Sequence, residues 1–362
     1  MTQRERQILQ MIESDPMISQ QELADRLGIT RSSVAVHISN LIKKGCIVGK
    51  GYVLRSGSYV VVVGGINVDI GGRSSASLVP ADSNPGKVHT SLGGVGRNIA
   101  HNLALLGIDV RMLSAYGDDL YGQQVAASCS SLGIDLSHAL QVSGGTTSTY
   151  LYITSPDGDM ALAVSDMDIC DRITPAYLAS KLTLLNNAQV VITDTNIPAE
   201  SLAFLAENCT APIFCDPVST IKAEKLRPIL GKLHTLKPNR LEAELLTGVS
   251  ITDEESAARA ADALLATGLR RVFLSLGSHG VYAASHTESG LLLPNLPGRM
   301  VNTTGCGDAF MSAIVWAYLE GTPLRETALA GLAAAAITME SEQTNNPGLN
   351  TQTLRSRLQV HG

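Results

Sequence analysis

The sequence predicts an α/β fold: a doubly wound, mostly parallel sheet with a small β lid, preceded by a small helical domain. The chain has 362 residues, which suits two domains of about 100–200 residues each. After residue 58, apolar β-branched runs alternate with helical stretches, a pattern typical of a parallel sheet with helices on both faces. Before it lie three short helical segments separated by turns.

Composition and charge describe an ordinary globular protein. Hydrophobic residues make up 44% and charged residues 17% of the chain. The net charge of −6 argues against a protein that coats nucleic acid with its whole surface. Residues 1–55 carry eight Lys and Arg against five Asp and Glu, a net charge of +3 that leaves −9 for the remainder. This asymmetry predicts two parts with different partners.

Cysteine usage and hydropathy predict a cytoplasmic protein. The six cysteines form no C-x-x-C pair, which favours reduced thiols over a zinc site. The N-terminus MTQRERQ has no apolar core of a signal peptide. The run Ala328–Met339 is shorter than the ~20 residues that span a bilayer, so we expect no membrane partner.

Residues 1–55 are predicted to form a winged helix-turn-helix domain. Ser19 and Glu22 have the spacing of a capping box at the start of a second helix. A tight turn at 28–30 leads into a third helix, an arrangement typical of helix-turn-helix modules. Two short strands around Lys50-Gly51 would form the wing.

The exposed side of the third helix gives candidate contacts to duplex DNA. Arg can read base edges, and Lys can contact phosphates. The alternative is a polar face of an assembly or dimerisation domain, because this geometry does not fix function. The candidate DNA-binding residues are Arg31, Ser32, Ser33, His37 and Lys43.

Residues 56–58 are interpreted as a linker and residues 59–362 as the second domain. Two segments, about 69–90 and 146–164, alternate like strands and are predicted to form the lid. The remaining strand candidates are Val190–Thr193, Pro212–Cys215, Leu233–Lys237 and Arg271–Leu276. The helix candidates are Ala199–Glu207, Arg240–Thr247, Glu254–Gly268 and Gly307–Leu319.

The strongest chemical motif is Asn302-Thr-Thr-Gly-Cys-Gly-Asp308, directly before a helix. Gly305 and Gly307 let backbone N–H groups converge at the helix N-terminus, where they would bind a phosphoryl group. Asp308 in the first turn can accept a proton from a substrate hydroxyl. Taken alone, the motif is also compatible with a helix cap that contains loop glycines.

Together with four other motifs, this segment resembles the PfkB (ribokinase-like) family of carbohydrate and nucleoside kinases over residues 59–350. The motifs occur in the family's order, which makes five coincidences much less plausible than one kinase site. They are Gly64–Asp69, Gly93–Ala100, Asn239–Glu242, Ser275–Gly280 and Asn302–Asp308.

The resemblance implies an ATP-dependent kinase that uses Mg²⁺, with Asp308 as catalytic base beside an anion hole at Gly305, Cys306 and Gly307. Cys306 is expected to serve this hole through its backbone. The acceptor-binding residues implied are Asn67, Asp69, Gly93, Gly94 and Asn98. The nucleotide-binding residues implied are Asn239, Ser275, Gly277, Gly280 and Thr304, with Glu242 and Asn239 placing the metal.

Each of these residues also has a simpler interpretation. Asn67 and Asp69 are compatible with a turn after a strand, and Gly93-Gly94 with a hairpin loop. Asn239 can simply cap the helix that begins at Arg240.

Four further side chains are secondary candidates. Asp194 and Asp216 follow predicted strands at the carboxyl edge of the sheet, where ligands bind in such folds. Arg97 and Lys222 are candidate phosphate ligands that surface positions explain equally well.

One position departs from the family's pattern. Many members have Asp where this chain has Asn302, a position associated with a monovalent cation. The amide keeps an oxygen but loses the charge, which leaves cation activation open.

Within the family, Gly93–Gly107 and Glu342–Pro347 most resemble the pseudouridine-kinase branch, which phosphorylates a ribose 5′-hydroxyl. The alternative acceptor is a free sugar such as ribose. A nucleoside requires an apolar or aromatic surface for its base, which Tyr150, Tyr152 or Met160 would supply unless they face the core.

Three hypotheses follow for the whole chain. It is a kinase fused to a DNA-binding module, a kinase whose first domain mediates assembly, or a ligand-sensing regulator with a vestigial kinase domain. Homodimerisation is expected in each case.

Overall fold

A computed structural model describes residues 1–15, 18–47 and 58–361. The chain forms two compact units, Met1–Ser58 and Tyr59–Gly362. Within the described residues, no helix is long and apolar enough to cross a membrane.

The first unit contains three helices packed on one small core. Its buried side chains include Ile8, Leu23 and Leu41. The predicted wing, with Lys50, and most of the predicted linker lie outside the described residues. The helices are α1 Gln3–Ser14, α2 Gln20–Leu27 and α3 Arg31–Lys43.

One cap in this unit differs from expectation. Ser19 accepts a hydrogen bond from the Glu22 backbone, but the Glu22 carboxylate turns outward to Arg26 at 2.6 Å. Only one half of the predicted capping box is therefore formed. An ion pair that the sequence did not reveal joins α1 to the end of α3, because the exposed Lys44 places its Nζ 2.8 Å from Oε2 of the buried Glu5. The hydrogen bonds from Lys44 lower the pKa of Glu5 to about 2.

An eight-stranded sheet with helices on both faces forms the core of the second unit, which confirms the predicted fold class. Its strands are β1 Tyr59–Val63, β4 Asp109–Leu113, β9 Val191–Asp194, β10 Ile213–Asp216, β11 Thr235–Leu236, β12 Arg271–Ser275, β13 Val281–Ser285 and β14 Leu291–Leu293. In space they follow the order β14-β13-β12-β11-β10-β9-β1-β4. The six strands from β12 to β4 are parallel, β13 pairs antiparallel with β12, and β14 pairs antiparallel with β13.

Side chains of β1 alternate between two hydrophobic cores. Val60 and Val62 pack into one core, and Val61 and Val63 pack into the other. A strand buried on both faces reads as a continuous apolar run, as expected for a parallel sheet covered by helices.

Helices of the second unit fall on both sides of this sheet. They are α4 Val95–Leu105, α5 Leu120–Ser131, α6 Pro175–Ser180, α7 Leu182–Asn187, α8 Ala199–Asn208, α9 Thr220–Ala223, α10 Arg240–Thr247, α11 Glu254–Leu265, α12 Cys306–Leu319, α13 Leu324–Met339 and α14 Thr351–His361. Short 3₁₀ helices occupy Asp168–Arg172, Glu224–Lys232 and Gly277–His279.

A separate four-stranded sheet, here called the lid sheet, forms from the two segments that alternate in the sequence. Its strands, in the spatial order β3-β2-β7-β8, are β2 Asn67–Ser74, β3 Gly86–Gly93, β7 Thr149–Thr154 and β8 Met160–Asp166. A further pair consists of β5 Ala115–Gly117 and β6 Leu140–Val142.

The chain reverses its strand order around β1, which has β4 on one side and β9 on the other. Ligands in open α/β sheets bind beyond the carboxyl ends of strands at such a point. Asp194, Asp216 and Lys237 lie at the carboxyl ends of β9, β10 and β11.

Candidate active site

Asp308 lies in the first turn of α12 and is 9% exposed. Its Oδ2 accepts a hydrogen bond from Asn98 Nδ2 at 2.9 Å. Asn98 belongs to α4, 210 residues earlier in the chain, so the two glycine-containing motifs of the sequence meet at this bond.

Burial, and then the charge of Asp216, raises the pKa of Asp308 to about 7. The hydrogen bond from Asn98 and the charge of Lys237 act in the opposite direction. A general base works best when its pKa lies near the working pH, and this carboxyl meets that condition.

The loop before α12 is held by side-chain to backbone bonds. Asn302 Oδ1 accepts from Thr304 N at 2.9 Å, and its Nδ2 donates to the carbonyl of Glu342 at 3.0 Å. Gly305 has φ of 85°, and a Cβ there would overlap the carbonyl of Thr344. The loop after α13 therefore presses against the predicted anion hole and allows only glycine at 305.

Lys237 lies next to this loop and was missed as a site residue, because it reads as the last residue of a buried strand. It is 6% exposed, and its Nζ is 3.0 Å from Asp216 Oδ2. A Cβ on Gly307 would lie 3.3 Å from the same nitrogen. The amine thus faces the anion hole, where it can contact a phosphoryl group.

Asn239 and Glu242 form a reciprocal capping box at the start of α10. Asn239 Oδ1 accepts from Glu242 N at 2.9 Å, and Glu242 Oε2 accepts from Asn239 N at 2.8 Å. The simpler interpretation of Asn239 as a helix cap therefore holds geometrically. Glu242 is only 3% exposed, and burial raises its pKa.

The predicted acceptor residues come together where β2 begins and the antiparallel β3 ends. Asn67 pairs with Gly93 across the two strands, and Asn67 Nδ2 donates to Asp69 Oδ1 at 2.6 Å. Gly94 caps α4 with φ of 95°, and a Cβ there would lie 2.5 Å from the Gly65 carbonyl. Burial raises the pKa of Asp69.

Tyr150 and Tyr152 project from the lid sheet on the same face as Asp69. The register pairs Asp69 with Tyr150 and Gly71 with Tyr152. The two rings are half-buried, with centroids 5.9 Å apart. Met160 is exposed, with its sulfur 3.8 Å from the Tyr150 hydroxyl. These side chains face the acceptor side rather than a hydrophobic core.

A cavity of about 1020 Å³ opens on the other side of the anion hole. Four predicted nucleotide residues line it: Asn239, Ser275, Gly277 and Gly280. Thr304 is not among its lining residues, while neighbouring Thr303 is. Lys237, Cys306 and Gly307 also line it.

An apolar surface of this cavity was not found from the sequence. Helix α13 contributes part of this surface, although its apolar run was considered above only as a possible membrane segment. The apolar residues include Leu296, Phe310, Leu332, Ala335, Ala336 and Met339. Such a surface suits the base of a nucleotide.

The Cys306 thiol donates to the carbonyl of Ala335, with the sulfur and oxygen 3.5 Å apart. Burial, and then the charge of Asp308, raises its pKa to about 11. Cys306 is therefore a neutral thiol at physiological pH, which argues against a nucleophile.

The surface interpretation of Arg97 is wrong. This side chain is 5% exposed. Its guanidinium donates to the carbonyl of Leu92 at 3.2 Å, to Ser128 Oγ at 3.1 Å and to Asn345 Oδ1 at 3.1 Å. Arg97 therefore stabilises the back of the site. Lys222 is half-buried, and its Nζ donates to Asn196 Oδ1 at 2.5 Å.

Most of the predicted DNA contacts are exposed on α3. Arg31, Ser32, Ser33 and Lys43 are exposed. Thr30 caps the helix through Ser33 N, and its hydroxyl lies 2.9 Å from Ser32 Oγ. His37 is only half-exposed, and its Nδ1 is buried without a hydrogen-bond partner among the residues that the structure describes. His37 therefore does not share the exposed side.

Comparisons with known proteins agree with this geometry. Residues 58–352 match the pfkB family carbohydrate kinase, and residues 1–48 match winged helix-turn-helix DNA-binding domains. The chain is 41% identical to an uncharacterized sugar kinase, YeiI, of Escherichia coli over 97% of both chains. It is 41% identical to the pseudouridine kinase of Escherichia coli over 82% of this chain and 95% of that one. A solved carbohydrate kinase from Agrobacterium tumefaciens has a TM-score of 0.73 and 30% identity, covering 84% of this chain and 98% of that one.

Proposed function

The chain belongs to the pfkB family of carbohydrate kinases and is an ATP-dependent sugar or nucleoside kinase, and we propose that its acceptor is the ribose 5′-hydroxyl of a pseudouridine-like nucleoside. The observation that carries this proposal is the pair of half-buried rings, Tyr150 and Tyr152, on the same lid face as Asp69. A free sugar has no base to stack on such rings. The 41% identity to a pseudouridine kinase supports the same acceptor.

In the proposed mechanism, Asp308 accepts the proton of the 5′-hydroxyl. The hydroxyl oxygen bonds to the γ-phosphorus of ATP, and the bond between this phosphorus and the bridging oxygen breaks, which releases ADP. Asn98 donates to one oxygen of Asp308, which leaves the other for the hydroxyl. Asn67 and Asp69 bind the sugar together with Gly93 and Gly94. Most of the barrier is lowered by positioning and charge neutralisation, as in other phosphoryl transfers.

The transferred phosphoryl group lies in the anion hole formed by the backbone of Gly305, Cys306 and Gly307. The macrodipole of α12 and the amine of Lys237 stabilise its negative charge. The adenosine part occupies the cavity of about 1020 Å³, between Ser275, Gly277, Gly280 and the apolar side of α13.

The residues present fit a magnesium ion. Asp216 pairs with Lys237, and the charges of Glu242 and Asp308 also act on the same amine. A cation would relieve the buried negative charge that these three carboxyl groups can carry. Mg²⁺ is commonly held by one or two carboxylates together with phosphates and water. We assign this role to Glu242 and Asp216, beside Asn239. When bound, the ion neutralises phosphate charge.

Residues 1–55 are proposed to bind duplex DNA as a winged helix-turn-helix domain joined by a linker at 56–58 to a kinase domain at 59–362. The exposed side of α3, with Arg31, Ser32 and Lys43, supports this role. A purely assembling domain predicts no salt-dependent DNA affinity, whereas phosphate contacts release counterions and weaken with salt.

Homodimerisation is proposed to use the outer face of the lid sheet. Two rows of apolar residues cross this face, as the strand registers show. They are exposed, at 74% for Val88, 61% for Leu162 and 56% for Val164. A flat apolar face of this kind is covered favourably by a second copy of itself.

The experiment that tests the proposed function is ATP turnover against a panel of nucleosides and pentoses, with wild type beside Asp308→Asn and Tyr152→Ala. Pseudouridine should be the preferred acceptor, and Asp308→Asn should lower its turnover by about 10²–10⁴-fold. Tyr152→Ala should weaken the binding of pseudouridine and leave the phosphorylation of ribose unchanged. Preference for a free sugar would refute the nucleoside assignment. No turnover of any acceptor would favour the ligand-sensing regulator.

A further inference from the structure

We propose that Asp194 is a positioning residue that holds both halves of the acceptor site in register. The proposal rests on the proposed kinase function. Asp194 ends strand β9, and its side chain is completely buried. Among the described residues, no Lys or Arg nitrogen lies within ion-pair distance of its carboxylate. A buried carboxylate without a cation needs hydrogen-bond donors.

Three backbone N–H groups from three different segments supply those donors. Asp194 Oδ2 accepts from Gly65 N at 2.9 Å and from Gly96 N at 2.8 Å. Its Oδ1 accepts from Asn196 N at 2.9 Å. The carboxylate thus cross-links the end of β1, the start of α4 and the turn after β9.

Two of these segments lead directly to the proposed acceptor and base contacts. Gly65 is two residues before Asn67 at the start of the lid sheet. Gly96 is two residues before Asn98, whose amide holds Asp308. A shift of either segment would therefore move one side of the acceptor site relative to the other.

The backbone at Gly64 and Gly96 packs so closely around the carboxylate that only glycine fits at these two positions. A Cβ on Gly64 would lie 2.6 Å from Asp194 Oδ2. A Cβ on Gly96 would lie 3.1 Å from the same oxygen and 2.9 Å from the Cα of Gly64. The glycines of both sugar-side motifs therefore accommodate Asp194 as well as a ligand.

An amide cannot replace this carboxylate. The three partners of Asp194 are all donors, and an ionised carboxylate is acceptor-only. In an Asp194→Asn variant, the NH₂ group would point at one or two backbone N–H groups. Because a buried donor without an acceptor is destabilising, the segment that carries it would shift away.

The first test compares acceptor and ATP kinetics in Asp194→Asn. We expect KM for the acceptor to rise by about tenfold or more, as the loss of a buried hydrogen bond implies. KM for ATP should stay within about twofold, because Asn239 and Ser275 lie on other strands and helices. A parallel rise of both constants, or a lower melting temperature with unchanged kinetics, would show a merely structural role.

The second test perturbs the same carboxylate by a substitution at Gly64, which packs against it. Gly64→Ala places a methyl group against Asp194 and should reproduce the selective rise in acceptor KM. Gly72→Ala is the matched control, because its Cβ would meet nothing closer than 3.9 Å. The Asp194→Asn, Gly64→Ala double variant should lose less than the product of the single effects, since both act through one group. Fully multiplicative losses would overturn the proposal.

The acceptor used is whichever nucleoside or pentose the wild-type chain phosphorylates fastest. If wild type phosphorylates none, the proposed function fails. If wild type is active and Asp194→Asn is kinetically unchanged, the positioning role alone is refuted.

Discussion

Asp308→Asn should inactivate the protein and at the same time stabilise it, by an amount that grows with pH. The pKa of Asp308 is raised from 3.8 to about 7 in the folded chain. Folding therefore favours the protonated acid, and this contribution to stability is present below pH 3.8 and lost as pH rises toward about 7. Each pKa unit corresponds to about 1.4 kcal/mol, so ionisation costs the native state about 4 kcal/mol above pH 7.

Asparagine removes this cost because it has no proton to lose. The free energy of unfolding of Asp308→Asn minus that of wild type should increase by about 1.4 kcal/mol per pH unit from about pH 4 to 7 and then level off. The effect of the amide itself on packing is the same at every pH, so the slope reports the titration alone.

The assay is urea unfolding between pH 5 and 8, followed by the fluorescence of Trp316, which is the single tryptophan and lies buried in the same helix as Asp308. Asp262→Asn, which removes an exposed carboxyl from α11, is the control for the loss of one charge. A stability difference that does not change with pH would refute the raised pKa, and with it the assignment of Asp308 as a base tuned to neutral pH.

Four other outcomes follow from the structure. The acidic limb of kcat/KM should lie near pH 7 and move to lower pH in Asp216→Asn, since the charge of Asp216 raises the pKa of Asp308; an unmoved limb would assign it to another group. Lys237→Met should lower kcat by about 10²–10³-fold, the loss expected for one charge-stabilising donor, and a change in KM alone would place the amine outside the transition state. Asn302 already joins its loop to the loop after α13 by a 3.0 Å bond, so exchanging KCl for NaCl should leave activity unchanged, and potassium activation would contradict this. Lys43→Ala should reduce the salt slope of DNA binding by about one, as band-shift titrations at several salt concentrations would show.

Local patterns in the sequence predicted the elements and the polar residues at strand ends. The motifs that contain Asn98 and Asp308 each have the glycines typical of a helix N-terminus. Because strands and helices alternate, both helices are expected to begin at the carboxyl edge of the sheet, where the two motifs meet. Helix α10 has the predicted bounds, Arg240–Thr247.

Long-range packing explains what the sequence did not reveal. Arg97 is buried because Asn345, 248 residues later, covers it, and no periodicity within α4 carries that information. Nothing in the local sequence distinguishes Lys237 from other lysines, because its partner Asp216 is brought beside it only by the pairing of strands. The apolar surface of the nucleotide cavity reads in the sequence as ordinary core, since a cavity lining and a core have the same composition.

The lid sheet links two surfaces through the alternation of its strands. On β7, Tyr150 and Tyr152 lie on the same face as Asp69, while Leu151 and Ile153 lie on the opposite face. Inserting or deleting one residue in the turn before β7 would exchange these sets, turning aromatic rings outward and aliphatic side chains toward the sugar. We therefore expect homologues to vary in this turn by substitution or by paired changes in length, and single-residue gaps there would mark chains that have lost both the proposed nucleoside acceptor and the proposed dimer contact.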